Sequence, residues 1–94
     1  MGRLSGKVAI VTGAGRGVGE ATARLLADEG ARVVVNDLDA DEADATVEAV
    51  RSSGGDAICM PGSVTDPSFP DELIQGALDA YGSIDIVVNN AGYI

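Results

Sequence analysis

The sequence contains no histidine and no tryptophan, one cysteine, one phenylalanine and two tyrosines. Without histidine, zinc sites and acyl-transfer triads lose their usual ligand or base. A single thiol, Cys59, excludes an internal disulfide and suits a reducing compartment. Cys59 lies in an apolar run and reads as a core thiol rather than a nucleophile. Aromatics at 3% leave the core to Val, Ile, Leu and Ala, the composition of buried parallel strands covered by helices. Bases are scarce: six against 15 acids, for a net charge of −9. That balance argues against nucleic acid or an anionic membrane as a partner. Most acids lie in 37–48 and 66–85 and read as solvated helical faces. Long apolar runs are missing too, so no transmembrane segment is expected. Val8 to Val11 is too short for a signal peptide, and Gly6 stands where a myristoylation motif wants Ser or Thr. The expected location is cytoplasmic.

What is present is an alternation of two periodicities within 94 residues, the length of one domain. Val8-Ala9-Ile10-Val11 is a continuous apolar run that reads as a buried strand. Val18, Ala21, Leu25 and Leu26 follow at helical spacing, and Gly30 stops that helix. Val33-Val34-Val35 predicts a second strand. A second helix is expected over 39–53, with Ala43, Val47 and Val50 inward and Gly54-Gly55 at its end. A third strand is expected over 57–60. Asp66 as N-cap and Pro67 as first residue open a third helix, with Phe69, Leu73, Ala77 and Tyr81 inward and Gly82 at its end. Ile84 to Val88 predicts strand four. The expected fold is α/β: β-α-β-α-β-α-β, a three-layer, Rossmann-type parallel sheet, truncated after strand four. The first two helices share one face, the third covers the other, and ligands bind at the carboxyl ends of the strands.

The strongest motif is Thr12-Gly13-Ala14-Gly15-Arg16-Gly17-Val18-Gly19, between the first strand and the first helix. Glycines there permit a sharp turn and the close approach of a phosphate. Helix amides and the helix dipole then favour a pyrophosphate, so a strongly acidic chain can still hold an anion locally. Asp37 follows Gly17 by twenty positions, ends the second strand and can accept hydrogen bonds from ribose hydroxyls. Together these point to a dinucleotide. The competing reading is a tight turn with Asp37 as a mere helix cap. A P-loop is excluded, because no Lys-Ser or Lys-Thr follows the glycines and Lys7 is the only lysine. The G-x-G-x-x-G spacing fails at Val18; the spacing present is Thr-Gly-x-x-x-Gly-x-Gly.

That spacing, with Asn89-Asn90-Ala91-Gly92 after the fourth strand and the Leu4-Ser5-Gly6-Lys7-Val8 opening, resembles the short-chain dehydrogenase/reductase family, nearest to its 3-oxoacyl-carrier-protein reductase-like members. The resemblance implies that Gly13, Arg16, Gly17, Val18 and Gly19 bind the pyrophosphate and neighbouring ribose. It implies that Asp37 holds the adenosine ribose, and that Asn90, Ala91 and Gly92 line the cofactor cleft while Asn89 braces the sheet. Ser63-Val64 stands where family members often carry Asp-Val beside the adenine; a serine hydroxyl can still hydrogen-bond there. NAD is preferred over NADP, because a 2′-phosphate would meet the Asp37 carboxylate. Arg16 pulls the other way, since a guanidinium can pair with that phosphate. A Rossmann methyltransferase also places an acid after strand two, but the glycine spacing and Asn-Asn-Ala-Gly oppose it.

Family chemistry transfers a hydride between nicotinamide and a carbonyl or alcohol, using a Ser and a Tyr-x-x-x-Lys pair. Tyr81 is followed four residues on by Asp85, and Tyr93 by one residue only, so no catalytic residue is identified. No metal ligand set is identified either. Residues 1–94 therefore read as an incomplete NAD(P)-binding Rossmann domain whose catalytic half is absent, inactive alone. The alternative is a free-standing NAD-binding module. The full-length form is expected to be a homo-oligomer. Strand four, left as an edge, predicts self-association or partial unfolding of the fragment.

Overall fold

The computed structural model describes residues 2–90. In chain order the elements are β1 (Val8–Val11), α1 (Gly17–Asp28), β2 (Arg32–Val35), α2 (Ala40–Ser52), β3 (Asp56–Cys59), α3 (Phe69–Tyr81) and β4 (Ile86–Val88). The strands form one parallel sheet in the order β3-β2-β1-β4. This is the expected Rossmann-like architecture. The chain turns back between β1 and β4, which opens a crevice at their carboxyl ends.

Strand side chains alternate between faces, and the register sorts them into two cores. Ala9, Val11, Val33, Val35 and Ala57 pack against Ala23 and Ala27 of α1 and Ala43, Val47 and Val50 of α2. Ile10 and Val34 pack on the other face against Phe69, Leu73 and Ala77 of α3. Helices thus cover both faces, which is why β1 is buried along its whole length. Burying Phe69 or Leu73 contributes roughly 1.5–3 kcal/mol each.

Beyond one-residue shifts at the ends of β2, α2 and β3, three boundaries or faces differ from the sequence expectation. Val18 and Leu25 stay 73% and 62% exposed, and Ala21 is exposed as well. The buried stripe of α1 is instead Gly19, Ala23 and Ala27. A helix lying close on the glycine turn and the sheet selects small residues, so larger apolar ones are turned to solvent. The third helix starts later than Asp66. Asp66 Oδ1 accepts from Ser68 N and Oγ, each at 3.0 Å, closing an Asx turn that contains Pro67. Ser68 is the N-cap of α3, and Pro70 takes the early helical position. Finally, β4 begins at Ile86. Asp85 joins it to β1 through its main-chain N, donating to the Val8 carbonyl at 2.8 Å, and through Oδ2, accepting from Val8 N at 2.9 Å. No helix among the described residues is long and apolar enough to cross a membrane.

Candidate functional site

The turn after β1 is fastened to three other parts of the fold. Thr12 N donates to the Val88 carbonyl at 3.0 Å, and Thr12 Oγ1 accepts from Asn90 N at 2.9 Å. The same hydroxyl lies 3.3 Å from Asn89 Oδ1, and Asn90 Nδ2 donates to the Gly13 carbonyl at 3.2 Å. These bonds tie β1 to β4 where the crevice opens. Ala14 N donates to the Asn36 carbonyl at 2.7 Å, beside the tip of β2. The Ala14 carbonyl accepts from the buried Thr46 hydroxyl of α2 at 2.8 Å. Gly15 N donates to Asp37 Oδ2 at 2.9 Å.

This closeness demands glycine. A Cβ on Gly19 would land on the Gly13 carbonyl and come within 2.7 Å of Asn90 Nδ2. A Cβ on Gly15 would sit 2.7 Å from Glu42 Cβ and 2.9 Å from Asp37 Oδ2. The α1 N-cap is Arg16, which makes no side-chain capping bond among the described residues. The first amides of a helix have no partner within it, so those of 17, 18 and 19 lie at the positive end of the dipole. Such an arrangement of helix amides can chemically accommodate an anion.

Asp37 continues from β2 and is half-buried. Its Oδ1 accepts from Asp39 N at 3.0 Å, and its carbonyl accepts from Gly62 N at 3.0 Å. Each carboxylate oxygen keeps further acceptor capacity after one main-chain bond. Asn36, 1% exposed, donates from Nδ2 to the carbonyls of Met60 at 3.0 Å and Gly62 at 3.2 Å. It thereby clamps the loop after β3 against the tip of β2.

A cleft of about 510 Å³ runs between these loops. Of the sequence-predicted residues, Gly13, Arg16, Gly17, Asp37, Ser63, Val64 and Asn90 line it. Val18 and Gly19 do not: Val18 projects outward from the first turn of α1, and Gly19 is buried beneath the turn. Ala91 and Gly92 lie outside the described residues. Sequence reasoning missed Asn36, Leu38, Gly62 and Thr65 in the lining, and Thr46 behind it. A polar residue at the end of an all-valine strand was a usable signal for Asn36, as was a lone hydroxyl on the apolar stripe of α2 for Thr46. Ser63 Oγ lies 2.6 Å from Thr65 Oγ1 and accepts from Thr65 N at 3.2 Å, which fixes the loop facing Leu38.

The two perturbed side chains stand apart from the cleft's chemistry. Cys59 packs against the α1/α2 core. Burial first, then the neighbouring Asp44 carboxylate, pushes its thiol up to about 11. Tyr81 sits at the amino-terminal end of the sheet, donating to Asp56 Oδ1 at 2.9 Å under the Arg32 guanidinium. Burial and Asp56 raise its ionisation well above the ordinary phenol value.

Comparison with known proteins bears on this geometry. The family profile described as short chain dehydrogenase matches residues 7–94. An uncharacterized oxidoreductase, YxbG of Bacillus subtilis, is 45% identical over 98% of this chain and 34% of its own length. A 3-oxoacyl-[acyl-carrier-protein] reductase of Synechocystis is 45% identical over 98% of this chain and 38% of its own. The chain spans about a third of the length of these curated relatives. The crystal structure of a hydroxysteroid dehydrogenase from Escherichia coli superposes with a TM-score of 0.94 at 42% identity, covering 97% of this chain and 39% of that one. A metagenomic short-chain oxidoreductase solved in complex with NADP superposes with a TM-score of 0.91 at 40% identity, covering 96% and 41%. With a matching profile over nearly its whole length and the same fold, the chain belongs to the short chain dehydrogenase family.

Proposed function

We propose that residues 1–94 form one nucleotide-binding domain, and that its cleft holds the adenosine diphosphate part of NAD in an oxidoreductase that moves a hydride between nicotinamide and a carbonyl or alcohol. One observation carries the reading: a glycine turn ends in a helix whose first amides lack a side-chain cap, and Asp37 stands beside it at the tip of β2. The residues fit the group. The missing Cβ atoms at Gly15 and Gly19 leave a close-packed turn, and Asp37 retains acceptor capacity for two ribose hydroxyls. In this reading the amides of 17–19 hold the pyrophosphate. Ser63, Val64 and the 75% exposed Leu38 enclose the adenine, and Asn90 borders the path toward the nicotinamide. The nicotinamide, when bound, supplies or accepts the hydride; this chain's residues bind and orient it, and none is assigned proton transfer.

The preferred cofactor in this proposal is NAD. The relative solved with NADP shows that a similar fold admits the phosphorylated form. Here, however, Asp37, Asp39 and Glu42 surround the ribose edge of the cleft, with Arg16 the one cation among them. A 2′-phosphate would meet like charge. Calorimetric titration with both cofactors tests this. NAD is expected to bind at least tenfold more tightly, about 1.4 kcal/mol. Equal or reversed affinities overturn the preference.

A further inference from the structure

Arg16 and Glu42 occupy the rim of the ribose-facing recess, and the ion pair between them is not explained by dinucleotide binding alone. Arg16 Nε lies 3.5 Å from Glu42 Oε2, with the arginine side chain 82% exposed and the glutamate 36% exposed. An exposed ion pair is weak by itself, worth less than about a fivefold factor in an equilibrium. Glu42, however, is not held by that pair alone. Its main-chain N donates to Asp39 Oδ1 at 3.1 Å in the first turn of α2. Its Cβ is so close to the turn that a methyl on Gly15 would approach it to 2.7 Å. The main chain and Cβ of Glu42 are thus held close to the turn, and its carboxylate meets the guanidinium on the α2 side of the recess. The recess between them is lined by Arg16, Asp37, Leu38, Asp39 and Glu42, three carboxylates and one cation, of which Glu42 pairs with Arg16.

We propose that Glu42 is a specificity-determining residue: it sequesters Arg16 and adds negative charge beside Asp37, so a 2′-phosphate meets neither a free guanidinium nor a neutral recess. The proposal rests on Asp37 facing the adenosine ribose. Without Glu42, Arg16 becomes a phosphate ligand.

Two small probes isolate the effect: 5′-AMP and adenosine 2′,5′-bisphosphate, titrated against the folded protein and followed by NMR. Glu42→Gln is expected to tighten the bisphosphate about three- to tenfold and to change 5′-AMP by less than about twofold, as loss of one screened charge at short range implies. Arg16→Gln is expected to weaken the bisphosphate by less than about 1.5-fold in the native background and by at least about threefold in the Glu42→Gln background, the coupling that a shared partner produces. No gain with Glu42→Gln, or an Arg16→Gln effect equal in the two backgrounds, overturns the proposal. If neither probe perturbs the cleft of the native protein, the dinucleotide reading itself fails, and this inference falls with it.

Discussion

Replacing Thr46 with valine tests how far the glycine turn depends on one buried hydroxyl. Thr46 is 1% exposed, Ala14 is fully buried, and the hydroxyl donates to the Ala14 carbonyl at 2.8 Å. Valine has nearly the same shape, so no cavity opens and the apolar contacts of α2 survive. What changes is that the carbonyl loses this donor in a dry site. A made hydrogen bond nets only about 0.5–1.5 kcal/mol, whereas a buried polar group deprived of its partner costs about 1–3 kcal/mol. The expected loss is therefore about 1–3 kcal/mol, read from urea unfolding as a lower midpoint at unchanged slope. Because Ala14 lies between Gly13 and Gly15, the turn should also relax, weakening NAD several-fold. Thr46→Ser separates the two effects. It removes one methyl, about 0.8 kcal/mol, but keeps the donor, and NAD affinity should stay within about twofold. A valine variant with native stability and native NAD affinity would refute the reasoning, since the hydroxyl would then have no part in shaping the turn.

Other perturbations follow from the same geometry. Gly19→Ala places a methyl on the Gly13 carbonyl, and the gain in helix propensity of about 1 kcal/mol cannot offset that collision. NAD binding should weaken at least about tenfold by calorimetry, and unchanged binding would show that α1 does not rest on the turn. Asp37→Ser removes the acceptor for Gly15 N and Asp39 N as well as for the ribose, so NAD should weaken about tenfold or more while its advantage over NADP shrinks. A preserved NAD advantage would contradict that assignment. Cys59 keeps its proton in the folded state beyond its ordinary value of 9.0, up to about 11. Its contribution to stability is therefore fully present below pH 9 and is lost as pH rises toward 11. Alkylation of the native protein should be slow at neutral pH and accelerate through that window; a thiol that titrates at or below 9.0 would refute its burial.

The order of elements is legible because each class of signal is local. The unbroken run Val8 to Val11, the three valines 33–35 and the glycines that close each helix need no tertiary context, and all fall where the sheet requires them. Which helices share a face is legible as well, since strand pairing and short crossovers leave little choice. Side-chain facing in α1 is not. Val18 and Leu25 look like core residues by hydrophobicity, but the contact of Gly19 with Gly13 sets the rotation of the helix, and close approach outranks apolar burial. The start of α3 misleads for a related reason: Asp66 and Ser68 are both good caps, and the Asx turn settles the contest in favour of Ser68. In the site, Gly13, Gly17, Asp37 and Asn90 are readable because their spacing carries the chemistry. For Asn36 and Thr46 only an out-of-place polar group is readable, and for Glu42 not even that. Their partners lie 24, 32 and 26 positions away, and a hydrogen bond or ion pair over that distance leaves no periodic trace.

The central claim is that main-chain amides at the start of α1, with the carboxylate of Asp37, bind a nicotinamide dinucleotide. An NMR titration of the folded, isotopically labelled protein with NAD tests it most directly. The account predicts saturable shifts concentrated in the amides of Gly13, Gly15, Gly17, Val18 and Gly19, extending to Asp37 and Ser63, with those of the Tyr81–Asp56 end of the sheet unmoved. Shifts centred elsewhere, or none with the fold intact, would contradict it.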